Sequence, residues 1–145
     1  MAVRVAVHQG GDRLLKEATA AWQTRMRRTD LLARYGGEEF TVLLRDCTPV
    51  QAVMVLDDLR AVTPDGQTFS AGLAEWDGLE DPERLVGRAD RALYEAKHAG
   101  RDRIIVAPSP LGRHPDTLAT GPVEPGTAPP PTRIDSKTPW DSNSR

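Results

Sequence analysis

The sequence predicts an α+β fold in which helices pack on a mainly antiparallel sheet. Three segments with a 3.6-residue apolar repeat are interleaved with short β-prone runs over the first 106 residues. Two of those runs flank a Gly-Gly pair, which is typical of an antiparallel hairpin. The predicted order is α-β-β-α-β-α-β, an order in which helices cover a sheet.

The first helix and the hairpin are predicted within residues 11–45. Residues 11–27 place apolar side chains on one face of an amphipathic helix. These side chains are Leu14, Leu15, Ala18, Ala21, Trp22 and Met26. Strands over 30–35 and 39–45 then flank Gly36-Gly37, and both glycines are expected to tolerate positive φ in the turn.

Two further helices and two further strands are predicted after the hairpin. The segment Thr48–Gln51 predicts a capping box, with proline at the first helical position, that opens a helix to about residue 62. A strand is predicted over 68–74. Asp81-Pro82 opens a third helix that ends at Gly100, and a strand over 103–107 closes the domain.

Residues 1–106 are predicted to form the folded domain and residues 107–145 a disordered, proline-rich tail. Nine of the 12 prolines lie in that tail, which has no apolar periodicity. Its scattered apolar residues cannot bury enough surface to offset the entropy of ordering the chain.

Composition excludes several classes of function. The net charge of -2, with both signs mixed, gives no basic surface for nucleic acid. Cys47 is the only cysteine, so an internal disulfide and a cysteine-cluster zinc site are excluded, and His8, His98 and His114 have no metal-ligand spacing. No apolar run approaches the roughly 20 residues that span a bilayer, and the N-terminus does not resemble a secretory signal. A cytoplasmic protein is therefore expected.

Four segments carry short motifs in a fixed order: Gly11–Leu15, Arg34–Phe40, Phe69–Ala74 and Ala89–Arg101. The second reads RYGGEEF and the last reads ADRALYEAKHAGR. Taken singly, each would be a turn, a strand or a charged helix end. In this order, over about residues 8–106, they resemble the GGDEF family of bacterial diguanylate cyclases in its GGEEF form. The resemblance implies a nucleotidyl-cyclase fold, similar to a polymerase palm.

The resemblance also implies an activity: a homodimer condenses two GTP molecules into cyclic di-GMP, and each subunit binds one GTP. By family position Glu38 and Glu39 are the catalytic acids. Glu38 is also the implied ligand of Mg²⁺ or Mn²⁺, hard cations that prefer carboxylate oxygens, and the candidate general base. The implied substrate contacts are Asp12 for the guanine edge, Gly36 and Gly37 for close approach of the nucleotide, and Lys97 and Arg101 for the phosphates.

A second site is implied by Arg27 and Asp30, which have the spacing of the family's inhibitory RxxD product site. An arginine fork suits phosphate or a guanine edge, and a carboxylate accepts guanine N–H donors. The family often supplies another arginine on the next helix, where this chain has Asp58 with Arg60 nearby. Binding of cyclic di-GMP is therefore expected to be weaker, or to use Arg60.

The chain departs from the family before His8. The family begins with a strand that carries a metal-binding acid. A phosphate-binding turn follows, and then a helix with an asparagine that hydrogen-bonds to guanine. In this chain, Val3 occupies the position of that asparagine. A domain lacking its first strand and most of its first helix is expected, which leaves a central strand missing.

Two origins remain open for this departure. Either the assigned start or a reading-frame break has shortened the product of a full gene, or the chain is a genuine degenerate product. We favour the first, because the remaining catalytic residues look intact. We expect little or no cyclic di-GMP from this chain alone. The alternatives are a non-catalytic cyclic di-GMP-binding module that uses Arg27 and Asp30, and an unstable fragment with no activity.

Overall fold

The computed structural model describes residues 1–8 and 10–110. These residues form five strands, three α-helices and one 3-10 turn at Pro64–Gly66. In chain order the elements are β1 (Ala2–Val7), α1 (Asp12–Gln23), β2 (Leu31–Gly36), β3 (Glu39–Leu43), α2 (Pro49–Ala61), β4 (Phe69–Ala74), α3 (Pro82–His98) and β5 (Ile104–Val106). The α+β prediction is confirmed, and all seven predicted elements are present.

The prediction that a central strand is missing is wrong. The sheet order is β2-β3-β1-β4-β5, so β1 lies in the middle and pairs antiparallel with both β3 and β4. All six residues of β1 are buried, as expected for a central strand that is covered on both faces. Val3, Val5 and Val7 alternate along the strand and therefore face the same side of the sheet. Among the described residues, no helix lies between β1 and α1.

The helices cover both faces of the sheet. All strand pairs are antiparallel except β4 with β5. α1 and α2 pack on the face that carries the β1 valines, whereas α3 packs on the opposite face against Ala74 and Ala107. At the centre of the larger core, Trp22 Nε1 donates to Thr63 Oγ1 at 3.0 Å. The Trp22 ring meets Phe40 and Phe69 edge-on at 5.4 Å.

α3 crosses the sheet at Gly72, where its backbone comes very close to β4. A Cβ at Gly72 would lie 2.1 Å from the Ala89 carbonyl oxygen and 2.2 Å from the Leu93 nitrogen. The position therefore requires glycine, and the close crossing fixes the middle of α3 against β4.

The predicted helix starts are confirmed. The Thr48 hydroxyl accepts from the Gln51 N–H at 3.3 Å, and the Gln51 side chain accepts from the Thr48 N–H at 2.9 Å. Asp81 accepts from the Arg84 N–H at 2.8 Å and so caps α3.

The hairpin turn is displaced by one residue from the predicted Gly-Gly pair. Gly36 ends β2, beside an irregularity between Arg34 and Gly36, and the turn residues are Gly37 and Glu38. Gly37 has a φ of 53°, and Gly36 does not have a positive φ. The prediction of positive φ at both glycines is therefore correct only for Gly37.

The packing continues into the first residues beyond β5. The Ala107 N–H donates to the Leu73 carbonyl at 2.7 Å, and the Pro108 carbonyl accepts from Arg88 at 3.2 Å. Most of the predicted tail, residues 111–145, lies outside the described residues. No described helix is long and apolar enough to cross a membrane.

Candidate functional site

An open cleft of about 380 Å³ lies where the β2–β3 turn meets the C-terminal ends of β1 and α3. Its lining residues are Ala6, Val7, His8, Gly36, Gly37, Glu38, Glu39, Lys97 and Arg101. The Val7 N–H donates to the Glu38 carbonyl at 3.0 Å, which fastens the end of β1 to the turn. The fold therefore brings together the two glycines, the two acids, Lys97 of α3 and Arg101, which follows α3.

The two acids of the hairpin have different surroundings. Lys97 Nζ donates to Glu39 Oε1 at 2.8 Å, and the Arg4 guanidinium lies 3.4 Å from Glu39 Oε2. Lys97 and then Arg4 hold the pKa of Glu39 below its ordinary value, against the opposing effect of burial. Glu38 is exposed, and within the described residues its carboxylate makes no ion pair. Glu38 is thus the carboxylate available to a ligand.

Arg4 is a site residue that the sequence analysis missed. Only 3% of its surface is exposed, although it carries a charge. Its guanidinium donates to Thr41 Oγ1 at 2.9 Å, lies 2.9 Å from Asp90 Oδ1 and stacks on the Tyr35 ring at 3.8 Å. The signal was an arginine within an alternating apolar run, but its partners lie on β2, β3 and α3, which only the fold brings together.

His8 is a second missed residue of the cleft. Its Nε2 lies 2.8 Å from Ser70 Oγ on β4. Burial, followed by the charges of Arg101 and Lys97, lowers the pKa of His8 and favours its neutral ring. The cleft therefore has a neutral polar group beside its two cations.

Arg101 reaches the cleft from an unusual stretch of backbone. Gly100, Arg101 and Asp102 have φ values of 110°, 62° and 45°, a run of left-handed conformations after α3. The Arg101 N–H donates to the Ala96 carbonyl at 3.0 Å, which holds this bend in place. Left-handed conformations are costly for residues other than glycine, and such outliers concentrate at functional sites.

Asp12 does not line the cleft, in contrast to the other implied substrate contacts. It is the first residue of α1, its side chain is 82% exposed, and it lies 3.4 Å from Arg34. Arg34 in turn donates twice to the Gly37 carbonyl, at 2.8 and 3.0 Å. Asp12 is thus connected to the hairpin turn through Arg34.

Arg27 and Asp30 lie before β2, at the opposite end of that strand from Gly36. The Arg27 N–H donates to Asp30 Oδ2 at 2.9 Å, and the Asp30 N–H donates to the Arg27 carbonyl at 3.0 Å. Asp30 Oδ1 also accepts from the Arg45 N–H at 3.4 Å. The pair is separate from the cleft, and the Arg27 side chain is exposed.

Arg60 is engaged elsewhere. Its guanidinium lies 2.6 Å from Asp102 and 3.3 Å from Asp57. Use of Arg60 for product binding would therefore require these two ion pairs to break.

The residues present do not build a site for a divalent cation. No group of three or more acidic, histidine or cysteine side chains that could hold a metal occurs in residues 1–8 and 10–110. β1 contributes Ala6 and Val7 to the cleft, where a carboxylate would be needed, and both Glu39 oxygens already face cations. Glu38 remains as the one unpaired acid on this lining.

Comparison with known proteins agrees with these features. The family model described as "Diguanylate cyclase, GGDEF domain" matches residues 8–103. Diguanylate cyclase DgcP of Pseudomonas aeruginosa is 41% identical over 110 residues, which cover 69% of this chain and 16% of that protein. β1 lies before the matched family residues.

Two crystal structures share the fold. Diguanylate cyclase SiaD of Pseudomonas aeruginosa, in complex with its activator SiaC, aligns with a TM-score of 0.68 and 31% identity over 73% of this chain and 49% of that chain. The GGDEF domain of DgcB from Caulobacter crescentus, in complex with c-di-GMP, aligns with a TM-score of 0.66 and 25% identity over 74% of this chain and 77% of that chain. The chain spans less than half of DgcP and of SiaD, and it belongs to the GGDEF-domain family of diguanylate cyclases.

Proposed function

We propose that the cleft is the GTP half-site of a diguanylate cyclase, and that this chain condenses GTP into cyclic di-GMP slowly. The observation that carries the proposal is the convergence of the GGEE hairpin with Lys97 and Arg101 on one open cleft. Two cations and a glycine-lined wall suit a triphosphate. We place this reaction in the cytoplasm, where GTP is available.

Gly36 supports the placement of the nucleotide. Its φ is not positive, and a Cβ added there would meet no atom within 4 Å. Neither backbone strain nor packing therefore requires glycine at this position. Close approach of a ligand is the remaining physical reason, and we assign Gly36 and Gly37 to the wall along which the triphosphate lies.

The other roles follow from charge and position. Lys97 and Arg101 bind phosphate oxygens, and the exposed Asp12 accepts from the guanine edge. In each condensation the 3′-oxygen of one GTP bonds to the α-phosphorus of the other, the bond to pyrophosphate breaks, and Glu38 takes the hydroxyl proton. Each cleft holds one GTP, so the reaction needs two copies of the chain face to face.

The low rate proposed for GTP condensation follows from the small number of carboxylates on the cleft lining that are free to bind a divalent cation. Glu38 is the one lining carboxylate left for Mg²⁺ or Mn²⁺, ions that would withdraw charge from the reacting oxygens. Ala6 lies opposite Glu39 in the β1–β3 register and lines the cleft without contributing an oxygen.

Restoring an acid on β1 tests this proposal. We expect Ala6→Asp to increase cyclic di-GMP formation from GTP and Mg²⁺ by at least about tenfold, because a second carboxylate then faces the hairpin. Ala6→Asn is the matched control, with the same shape and no charge, and circular dichroism would check that both variants fold. Rapid product formation by the unmodified chain would contradict the proposed impairment.

A second candidate function is a non-catalytic module that binds cyclic di-GMP through Arg27 and Asp30. It is favoured by the exposed Arg27 side chain, which makes no ion pair among the described residues, and by a turn that already positions Asp30. Calorimetric titration with cyclic di-GMP separates the two candidates. Binding that is lost in Arg27→Ala, without GTP turnover, supports the module; no binding by the unmodified chain removes it.

A further inference from the structure

We propose that the cleft binds the triphosphate of its nucleotide without a divalent cation, because the buried Arg4 neutralises the charge of Glu39 through an ion pair. The inference rests on the proposed nucleotide site and specifies the ionic form of its ligand. It starts from the poor fit between the lining residues and a metal ion.

Glu39 is neutralised from two sides. Lys97 faces one carboxylate oxygen at 2.8 Å and Arg4 faces the other at 3.4 Å. A cation that bound Glu39 would have to displace one of these partners. The two positive charges already perform the neutralisation that an ion would supply.

The two partners differ in mobility. The Arg4 side chain is 3% exposed and is held by Thr41, Asp90 and the Tyr35 ring, so it cannot leave Glu39 without losing several contacts. The Lys97 side chain is 32% exposed, and no other contact than that with Glu39 holds its ammonium among the described residues. An incoming phosphate can therefore take Lys97, while Arg4 stays with Glu39.

The charge that remains on the lining is suited to an anion. With Glu39 paired to Arg4, the two cations Lys97 and Arg101 face a single unpaired carboxylate, Glu38. His8 adds a polar ring whose lowered pKa favours its neutral form, so the positive charge of the lining comes from Lys97 and Arg101. A polyphosphate thus meets a net positive surface without an accompanying metal ion.

The test is calorimetric titration of the full chain with GTP, ATP and inorganic triphosphate, each in Mg²⁺ and in EDTA. We expect affinities in EDTA within about threefold of those in Mg²⁺. A loss of about tenfold or more in EDTA overturns the inference and leaves the proposed GTP site standing. Equal affinity for GTP and ATP in EDTA would support metal-free binding but contradict the assignment of a guanine contact. If none of the three titrants binds, both the inference and the proposed GTP site are overturned.

Variants test the role of Arg4. In Arg4→Met, Lys97 becomes the sole partner of Glu39, so we expect about tenfold weaker triphosphate binding in EDTA and recovery in Mg²⁺. Glu39→Gln removes the charge that competes for Lys97, so it should bind triphosphate in EDTA at least as tightly as the unmodified chain. The same substitution should rescue Arg4→Met in the double variant.

If Arg4 had only a structural role, adding Glu39→Gln to Arg4→Met would not restore triphosphate binding in EDTA. Binding that stays weak in the double variant would therefore contradict the inference. If Arg4→Met does not fold, triphosphate binding by Glu39→Gln in EDTA tests the inference without it. Weaker binding by Glu39→Gln in EDTA would overturn the inference.

Discussion

Single residues decide what this cleft can do, and Glu39 and Glu38 show it most clearly. The two acids are neighbours in sequence, yet Glu39 is held by Lys97 and Arg4 whereas Glu38 is exposed and makes no ion pair among the described residues. Their separate environments arise because Glu39 begins β3 and pairs with β1, whereas Glu38 lies in the turn. A motif alone predicts two acids, and only the fold assigns them different tasks.

The two glycines of the hairpin should respond differently to alanine. Gly37→Ala forces a Cβ into a φ of 53° and should cost about 1 kcal/mol of unfolding free energy. Gly36→Ala has no such strain and should leave stability unchanged while weakening GTP binding by about tenfold. Thermal denaturation and calorimetry measure the two effects; unimpaired GTP binding by Gly36→Ala would remove the assigned nucleotide wall.

The ion pairs of Glu39 should make stability depend on pH. The pKa of Glu39 is lowered from 4.5 by Lys97 and Arg4, so its stabilisation is present above pH 4.5 and is lost as pH falls through the folded-state pKa. Urea unfolding at pH 7 and at successive values below 4.5 should show a smaller loss of stability for Glu39→Gln than for the unmodified chain. Equal losses would show that these ion pairs contribute nothing.

At the scale of elements, local signals predicted most of the fold. The caps at Thr48 and Asp81 and the apolar stripe of α3 could be read from spacing alone, because they depend on residues within one or two turns. β1 could not be placed this way, since its partners β3 and β4 lie far along the chain. Arg4 was missed for the same reason: its contact with Glu39 spans 35 residues.

The crossing of α3 over β4 gives a prediction for an element contact. In Gly72→Ala the new methyl group meets backbone atoms of α3 at 2.1 and 2.2 Å, which no rotamer can relieve. We expect a loss of roughly 2–3 kcal/mol in unfolding free energy. Gly87→Ala on α3, where a Cβ meets nothing within 4 Å, is the control and should stabilise by about 0.5–1 kcal/mol. Similar effects at both positions would contradict the close crossing.

At the scale of the whole molecule, the order of motifs predicted the site better than any single motif. Residues separated by about 60 positions, Glu39 and Lys97, meet at 2.8 Å because the hairpin and the end of α3 flank the same end of β1. Asp12 lies outside the lining and forms an exposed ion pair with Arg34, a contact between α1 and β2 that spacing does not encode. The strand β1, which precedes the matched family residues, completes both the sheet and the cleft.

The most direct test of the central claim is a calorimetric titration of the chain with GTP in the presence of Mg²⁺. We predict one GTP per chain, at least about tenfold tighter binding than ATP, and a loss of about tenfold in each of Lys97→Gln and Arg101→Gln. Lys16→Gln, on the exposed surface of α1 and outside this cleft, should bind GTP normally. Equal affinity for GTP and ATP, or GTP binding that is unchanged in both cleft variants, would contradict the account.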